Sequence, residues 1–378
     1  MSEYQYYEFL SIDRPLGKAD REALRALSTR ARITAMSFTN TYEWGDFKGD
    51  PAKLMEHWFD LHLYLANWGT RRLMMRLPKR LLDLSLLETF LGEVDWVKVR
   101  VAGDNLILDI LRHEMDIDDG GDEGSGWLAA LAPLRADVFA GDLRFFYLLW
   151  LTAVGAGAFE ADAPEPMPGI GPLSGALEAF VEFFGIDADL VQAAAEGAVV
   201  AIPSAISLKT AHGIISAMAD SEKTGMLARV FDGDPHVTAE LRAKVRDHTV
   251  TRAYAPPATS RTVGELLARA AAIGLAREQE AAKKLAAEQK RQAKEAEKAR
   301  QARLVAIAQR GESAWRDVAA EIERRNAAGY DKAVELLLDL RVLAKERGTM
   351  PSFEKRLRTI REQHVRKRQF VERLAKIE

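Results

Sequence analysis

LAAEQKRQAKEAEKARQARL, residues Leu285 to Leu304, has no large apolar side chain between its two leucines. The only apolar residues there are Ala286, Ala287, Ala293, Ala296, Ala299 and Ala302. Alanine, lysine, arginine, glutamate and glutamine all favour helix, so the stretch reads as helix. A helix of this composition buries little surface of its own. It is therefore a strut, an arm or a seam for a partner, and it points to interaction rather than catalysis. The helical pattern extends from about Thr262 to Asn326, with Gly264, Gly274 and Gly311 weakening its ends. The glycine-free run 275–310 has 36 residues, about 54 Å if continuous at 1.5 Å per residue. Glu280–Lys284 is a favourable i,i+4 pair, whereas Lys290–Lys294 and Lys294–Lys298 repel. The best heptad seam, Ala282, Ala286, Gln289, Ala293, Ala296 and Arg300, lacks Leu or Ile at its core positions, so it does not specify a two-stranded coiled coil. An alanine seam against a partner helix and a solvated single helix both fit the pattern.

Beyond Gly311 large apolar residues return: Trp315, Val318, Ile322, Tyr330, Val334, Leu337 and Leu338. Ala314-Trp315 followed by Gly329-Tyr330-Asp331-Lys332-Ala333-Val334-Glu335-Leu336-Leu337 resembles one tetratricopeptide-type helical hairpin. Trp315 to Ala333 is two residues longer than the repeat, and only one such unit is present. Gly348 ends the second helix of the pair. Thr349 and Pro351 open a third, with Phe353, Leu357 and Ile360 on one face. This hairpin is also similar to tails of some SWIM-type zinc-finger proteins. Their zinc ligands do not carry over, because the chain has no cysteine.

Upstream of the long helix the reading is α/β up to residue 115. Tyr4–Ile12 and Ile33–Trp44 read as strands, and Asp20–Thr29 as a helix. Asp50 is placed to cap a helix opened by Pro51 and running to about Trp68. Arg72–Leu77 is a short strand stopped by Pro78, and Trp96–Ala102 with Asn105–Leu111 forms a hairpin around Gly103-Asp104. The acidic, glycine-rich stretch Asp116–Gly126 marks a boundary. Residues 127–250 read as helices, interrupted at Gly169–Pro172 and Asp232–Pro235, with Ser174 set to cap a helix. Tyr254–Ser260, with its Pro-Pro, reads as a linker. The segments Tyr42–Asp50 and Asn67–Met74 resemble a family of uncharacterised bacterial proteins. That resemblance implies no activity for these residues.

Charge is divided along the chain. The net charge is −3. Residues 261–378 hold 28 Lys+Arg and 18 Asp+Glu, a net of +10, and residues 1–260 hold 25 and 38, a net of −13. An acidic body with a basic helical arm attracts an acidic protein face or nucleic acid, or folds the arm back on the body. The absence of cysteine removes disulfides, thiolate metal sites and cysteine nucleophiles, and fits a reducing cytoplasm. The first residues carry no signal-peptide pattern. The longest uncharged apolar run, Phe145 to Phe159, has 15 residues, short of the roughly 20 a membrane span needs. It reads as a buried core helix.

No chemical motif is complete. Glu56, His57, Asp60 and His62 fall on one predicted helix, but His57 and His62 are five apart, where a zinc helix needs four. Asp116, Asp118, Asp119, Asp122 and Glu123 fail the calcium-loop pattern, because its twelfth position is Trp127. Gly169-x-Gly171-x-x-x-Gly175 has the wrong spacing for a dinucleotide loop. Ser221–Gly225 has a Lys-Thr pair but no phosphate cradle, and Ser204 lacks a nucleophile elbow.

Two polar clusters remain. Trp44, Asp46 and Lys48 lie in a tight turn with Glu43, and Trp68, Arg71 and Arg72 end the predicted helix after Asn67. Two tryptophans and two arginines near one sheet end make a candidate interaction surface. The plain structural alternative packs both tryptophans into the strand–helix junction. The second cluster, Arg361, Arg366, Lys367, Arg368 and Arg373, is a candidate phosphate contact, although no sequence-reading element is visible there.

The sequence thus describes a mostly α-helical α+β protein. Its parts are an α/β domain (1–115), a helical domain (127–250), a long charged helix (261–311) and a tetratricopeptide-like hairpin with a capping helix (312–378). The expected function is a non-enzymatic cytoplasmic scaffold or adaptor with a protein partner, no cofactor, no metal and no membrane span. Homo-oligomerisation stays open. The alternatives are a nucleic-acid accessory protein acting through the basic tail, and an enzyme with a site around Asp46, His57 and Arg71.

Overall fold

The computed structural model describes residues 3–115, 124–197, 207–249, 261–375 and 377. These divide into two compact units, Met1–Ala276 and Arg277–Glu378. The protein is mostly helical α+β.

The first unit is built on a seven-stranded antiparallel sheet: β1 Gln5–Leu10, β2 Arg32–Ile33, β3 Ser37–Tyr42, β4 Leu61–Ala66, β5 Thr70–Pro78, β6 Val97–Ala102 and β7 Asn105–Arg112. Their spatial order is β2-β3-β1-β4-β5-β7-β6. Successive side chains of a strand point to opposite faces, and both faces are used. One carries Tyr6, Leu61, Leu63, Leu65, Leu73, Met75, Leu77, Leu108 and Ile110 into a large core. The other carries Phe9, Phe38, Met74 and Ile107. That second face is covered by Leu24 of α1 (Lys18–Leu27), by Leu54 and Met55 of α2 (Pro51–His57), and by Phe59.

The large core is closed by α3 (Leu84–Leu91), α4 (Trp127–Leu131), α5 (Pro133–Phe139), α6 (Arg144–Gly155), α7 (Gly175–Phe183) and α8 (Ala188–Ala195). Helix α6 is buried on every side, from Arg144 to Val154. This is the core helix expected from its apolar run, and no single described helix is long and apolar enough to cross a membrane. Helices α9 (Leu208–Ala217), α10 (Asp220–Phe231) and α11 (Val237–Thr249) follow. The next helix, α12 (Val263–Arg310), adds Val263, Leu266, Ala270 and Ile273 to the same core.

Two expectations are corrected here. The helix expected from Pro51 to Trp68 ends at His57, and β4 follows it. Leu61, Leu63 and Leu65 alternate with His62 and Tyr64, and a period of two sends the three leucines together into the core. The expected strand 33–44 is two strands, joined by a turn in which Thr34 N donates to Ser37 O. The sheet and helices α3 to α8 contribute to one continuous core. The acidic stretch 116–123, Ser204 and the Tyr254–Ser260 linker lie outside the described residues.

The second unit holds the rest of α12 with α13 (Glu312–Glu323), α14 (Ala327–Glu346), α15 (Met350–Gln363) and α16 (Arg368–Leu374). The helical run expected to reach Asn326 breaks at Gly311, whose φ is 51°. Leu304 and Ile307 of α12, Val318 and Ile322 of α13, Leu337 of α14, Phe353 of α15 and Phe370 of α16 form its core. Helices α13 and α14 pack as a hairpin. A Cβ on Gly329 would lie 2.6 Å from the Glu321 carbonyl oxygen, so glycine permits their close approach. From residue 277 to 303, α12 is exposed apart from half-buried Glu288.

Candidate interaction surface

Strands β3 and β4 flank β1 and end on the same side of the sheet, since Gln5 of β1 pairs with both Tyr42 and Ala66. Trp44 lies two residues beyond Tyr42 and Trp68 two beyond Ala66. The strands carrying them are about 10 Å apart, two inter-strand spacings. Both indoles face outward, Trp44 with 71% and Trp68 with 46% of its surface exposed. Neither packs a strand–helix junction. Asp46 and Lys48 are exposed on the same turn.

Buried Gln5 fixes that turn. Its Nε2 donates to Gly45 O at 3.0 Å and to Asp46 Oδ1 at 3.1 Å. Its Oε1 accepts from Tyr7 Oη at 2.9 Å and from Tyr64 Oη at 3.2 Å. Burial, reinforced by the Asp46 charge, raises both phenols, Tyr64 to about 12. They are neutral donors at any physiological pH.

Beside Trp44 the sheet edge is open. The short β2 pairs only with Phe38 and Thr39, so no described strand covers Asn40–Tyr42 on that side. Thr41 N donates instead to the neighbouring Asn40 Oδ1 at 3.1 Å. The Arg30 guanidinium stands 5.5 Å from the Trp44 ring centre and 5.8 Å from that of Tyr42. Arg30, Asn40, Thr41, Glu43 and Trp44 line a hollow of about 280 Å³. It offers a cation, an acid, an indole face and polar edge groups.

The structure does not bring Arg71 and Arg72 to this surface. They lie on β5 rather than at a helix end, and their side chains take opposite faces of the sheet. Arg71 is buried in the core, 5.3 Å from the Phe183 ring centre. Arg72 is half-buried and makes a double hydrogen bond to Asp109 at 2.7 Å.

An enzyme site on Asp46, His57 and Arg71 is likewise not assembled. Asp46 is on the rim, Arg71 is in the core, and His57 is exposed on α2 with Nδ1 bonded to Lys53 O at 2.7 Å. His62 belongs to β4, buried and stacked on Phe9 with ring centres 3.9 Å apart. Its Nδ1 donates to Glu8 O at 2.9 Å, and no described group meets Nε2. Burial, with Arg72 nearby, pushes its pKa down to about 3.

Asp60 is fully buried, but every partner it has is a donor of this chain. Ile12 N and Asp13 N reach Oδ2 at 2.6 and 2.9 Å, and Arg76 reaches Oδ1. Arg135 spans Asp13 in a bidentate pair, and His236 Nε2 lies 2.9 Å from Asp13 Oδ2. Burial alone would raise the Asp13 carboxyl, but hydrogen bonds from His236 and Arg135 outweigh it and hold it well below the usual range. This network is a brace between loop, sheet and helices. Among the described residues, no group of three acids or histidines is arranged to hold a metal. The glycine loop at Gly169 is also structural: its φ is 129°, and a Cβ would fall 2.8 Å from Ala194 O.

In the basic tail, Lys367 binds Glu323 at 2.7 Å and Arg373 binds Asp331 at 2.7 Å, fastening the chain around α16 to α13 and α14. Arg361, Arg366 and Arg368 are exposed.

No protein-family model matches the sequence, and no curated protein or solved structure matches it either. The surface therefore rests on its own geometry. Sequence reasoning passed over Arg30, Asn40 and Thr41. The alternation of Phe38, Asn40 and Tyr42 was the available signal for Asn40, which it places on one face with Tyr42.

Proposed function

We propose that this chain is a non-enzymatic interaction protein, a scaffold or adaptor of the cytoplasm, and that the Trp44–Arg30 hollow is a contact surface for a protein partner. The observation that carries this is Trp44: a large indole held out in solvent by a pinned turn, beside an arginine and an open strand edge. Tryptophan and arginine dominate the energetics of interfaces. The exposed run 277–303 of α12 supports the same reading, because a helix that buries so little of itself gains from a partner. Exposed Leu208 on α9 and Leu227, Val230 and Phe231 on α10 add apolar surface to the first unit. The hairpin α13–α14 serves in this reading as a single tetratricopeptide-type unit.

The test is affinity purification of the tagged full-length chain from its native cell, with and without the pair Arg30→Ala and Trp44→Ala. Truncating a hot-spot tryptophan costs about 2 kcal/mol or more, roughly thirtyfold in affinity. Partners recovered with the native chain should drop by at least tenfold, with the melting temperature nearly unchanged because both side chains are exposed. Equal recovery with both proteins would remove this surface. A native chain that stays monomeric and brings down nothing would remove the adaptor reading. A salt-dependent RNA shift, lost on replacing Arg366 and Arg368, would instead assign the tail to nucleic acid.

A further inference from the structure

The opposite edge of the sheet is a second, differently built surface. Strand β6 is the last in the order and, among the described residues, pairs only with β7. Its sequence, Val97-Lys98-Val99-Arg100-Val101-Ala102, alternates strictly. The valines stand opposite Ile110, Leu108 and Leu106, on the face that carries the large core. The helical layer stops short of them, leaving Val99 42% and Val101 58% exposed. Lys98 and Arg100 occupy the other face, Arg100 at 2.9 Å from Glu56.

The backbone register decides what this edge presents. Leu111 N donates to Trp96 O at 3.0 Å, so Trp96 and Leu111 form a hydrogen-bonded pair. Bonded and non-bonded pairs alternate in an antiparallel ladder. Lys98, Arg100 and Ala102 therefore bond inward to β7, and Val97, Val99 and Val101 turn their N–H and C=O groups outward. Val97 N is taken by Val94 O at 3.1 Å. Among the described residues nothing takes the outward groups of Val99 and Val101, so each offers a donor, an acceptor and an exposed apolar side chain.

From this geometry we infer that β6 receives an extended segment of a partner protein as an eighth strand, and that the segment alternates apolar with acidic residues. Directly opposed residues share a face, so apolar side chains meet the valines and carboxylates meet Lys98 and Arg100. A second copy of this chain is a poor occupant in the two registers that set both Val99 and Val101 against valines. The two-fold register centred on Val99 sets Lys98 against the other copy's Arg100 twice, and the register centred on Arg100 sets that residue against itself. Like charges directly opposite destabilise a pair. The same charges that guard the edge against self-pairing select an acidic strand.

The full-length protein is titrated into a labelled Val-Glu-Val-Glu-Val-Glu-Val peptide and followed by fluorescence anisotropy. The controls are the lysine analogue and a peptide of the same composition with its valines and glutamates in blocks. The alternating acidic peptide should bind at least tenfold tighter than either control and weaken as salt rises. Val99→Pro removes one outward N–H without touching the β7 ladder and should weaken binding at least tenfold. Should that variant fold poorly, the pair Lys98→Gln and Arg100→Gln decides: it should erase the preference for glutamate over lysine. Equal binding of the two alternating peptides, or no binding of either, overturns the proposal. So does a dimer in light scattering that Val99→Pro dissolves, since that would give the edge to a second copy.

Discussion

His62→Asn should make the first unit less sensitive to acid. The asparagine N–H can replace Nδ1 as donor to Glu8 O, while the ionisable ring is gone. In the folded protein burial and nearby Arg72 hold His62 at about 3, whereas an unfolded histidine titrates near 6.5. Between these values the unfolded chain binds a proton that the folded one refuses. The unfolded state is then favoured as pH falls, so stability is lost downward from 6.5 and the loss levels off below about 3. At 1.36 kcal/mol per pH unit, lowering pH from 7.5 to 5.0 removes about 2 kcal/mol through this one residue. The ring is fully buried, so solvent does not screen the effect. The variant loses the stack on Phe9, a pH-independent cost of about 1–3 kcal/mol. Urea unfolding followed by circular dichroism at pH 7.5, 6.5, 5.5 and 5.0, at one ionic strength, gives the stability difference between the two proteins. The carboxylates are common to both and cancel. The difference should move by about 2 kcal/mol in the variant's favour on going to pH 5.0. Two parallel pH profiles would refute the reasoning, because they would mean that the folded protein accepts the proton at His62 as readily as the unfolded chain does.

Asp60→Asn should cost about 3–5 kcal/mol, because it takes from the largely buried Arg76 its counter-charge, while Arg135 keeps Asp13; the same urea titration at pH 7.5 reads it. Gly69→Ala and Gly45→Ala separate clash from conformational strain. Both glycines have positive φ, 81° and 76°, but a Cβ on Gly69 would fall 2.4 Å from Met115 O, while one on Gly45 meets nothing within 4 Å. Gly69→Ala should therefore lower the melting temperature clearly more than Gly45→Ala, and equal effects would show that the Met115 contact relaxes freely.

The long, strongly patterned elements were legible: β1, β5, the β6–β7 hairpin at Gly103, the buried helix α6 and the α13–α14 hairpin. Each has a period or a breaker that works within a few residues. The stretch His57–Trp68 was not legible as two elements. Its leucines at 61, 63 and 65 are also compatible with a helix read from Pro51, and what ends α2 is remote in sequence. Asp60 closes the turn by accepting Ile12 N and Asp13 N, and β1 supplies the ladder that makes β4 a strand. The misplaced strand then misplaced the site. Once residues 70–78 are a strand, Arg71 and Arg72 must point to opposite faces, and the cluster of two tryptophans and two arginines divides. Arg30 was invisible for the same reason: it reaches Trp44 only because α1 and β2 deliver it to the end of β3.

A sheet packed on both faces has its edges and strand ends left for recognition, and here the two edges are built differently. The β3 edge is narrow: β2 covers part of it, Asn40 occupies the Thr41 N–H, and the exposed side chains are large and amphipathic. It suits a contact dominated by a few side chains. The β6 edge keeps two full residues of outward backbone with small valines, so it suits main-chain pairing, with charge supplying the choice of partner. Truncating Trp44 should therefore leave β6 binding intact, and Val99→Pro should leave the Trp44 contact intact. A partner lost to both substitutions would have to span the sheet from edge to edge, about 30 Å across seven strands, and two partners lost separately would make the first unit a bridge.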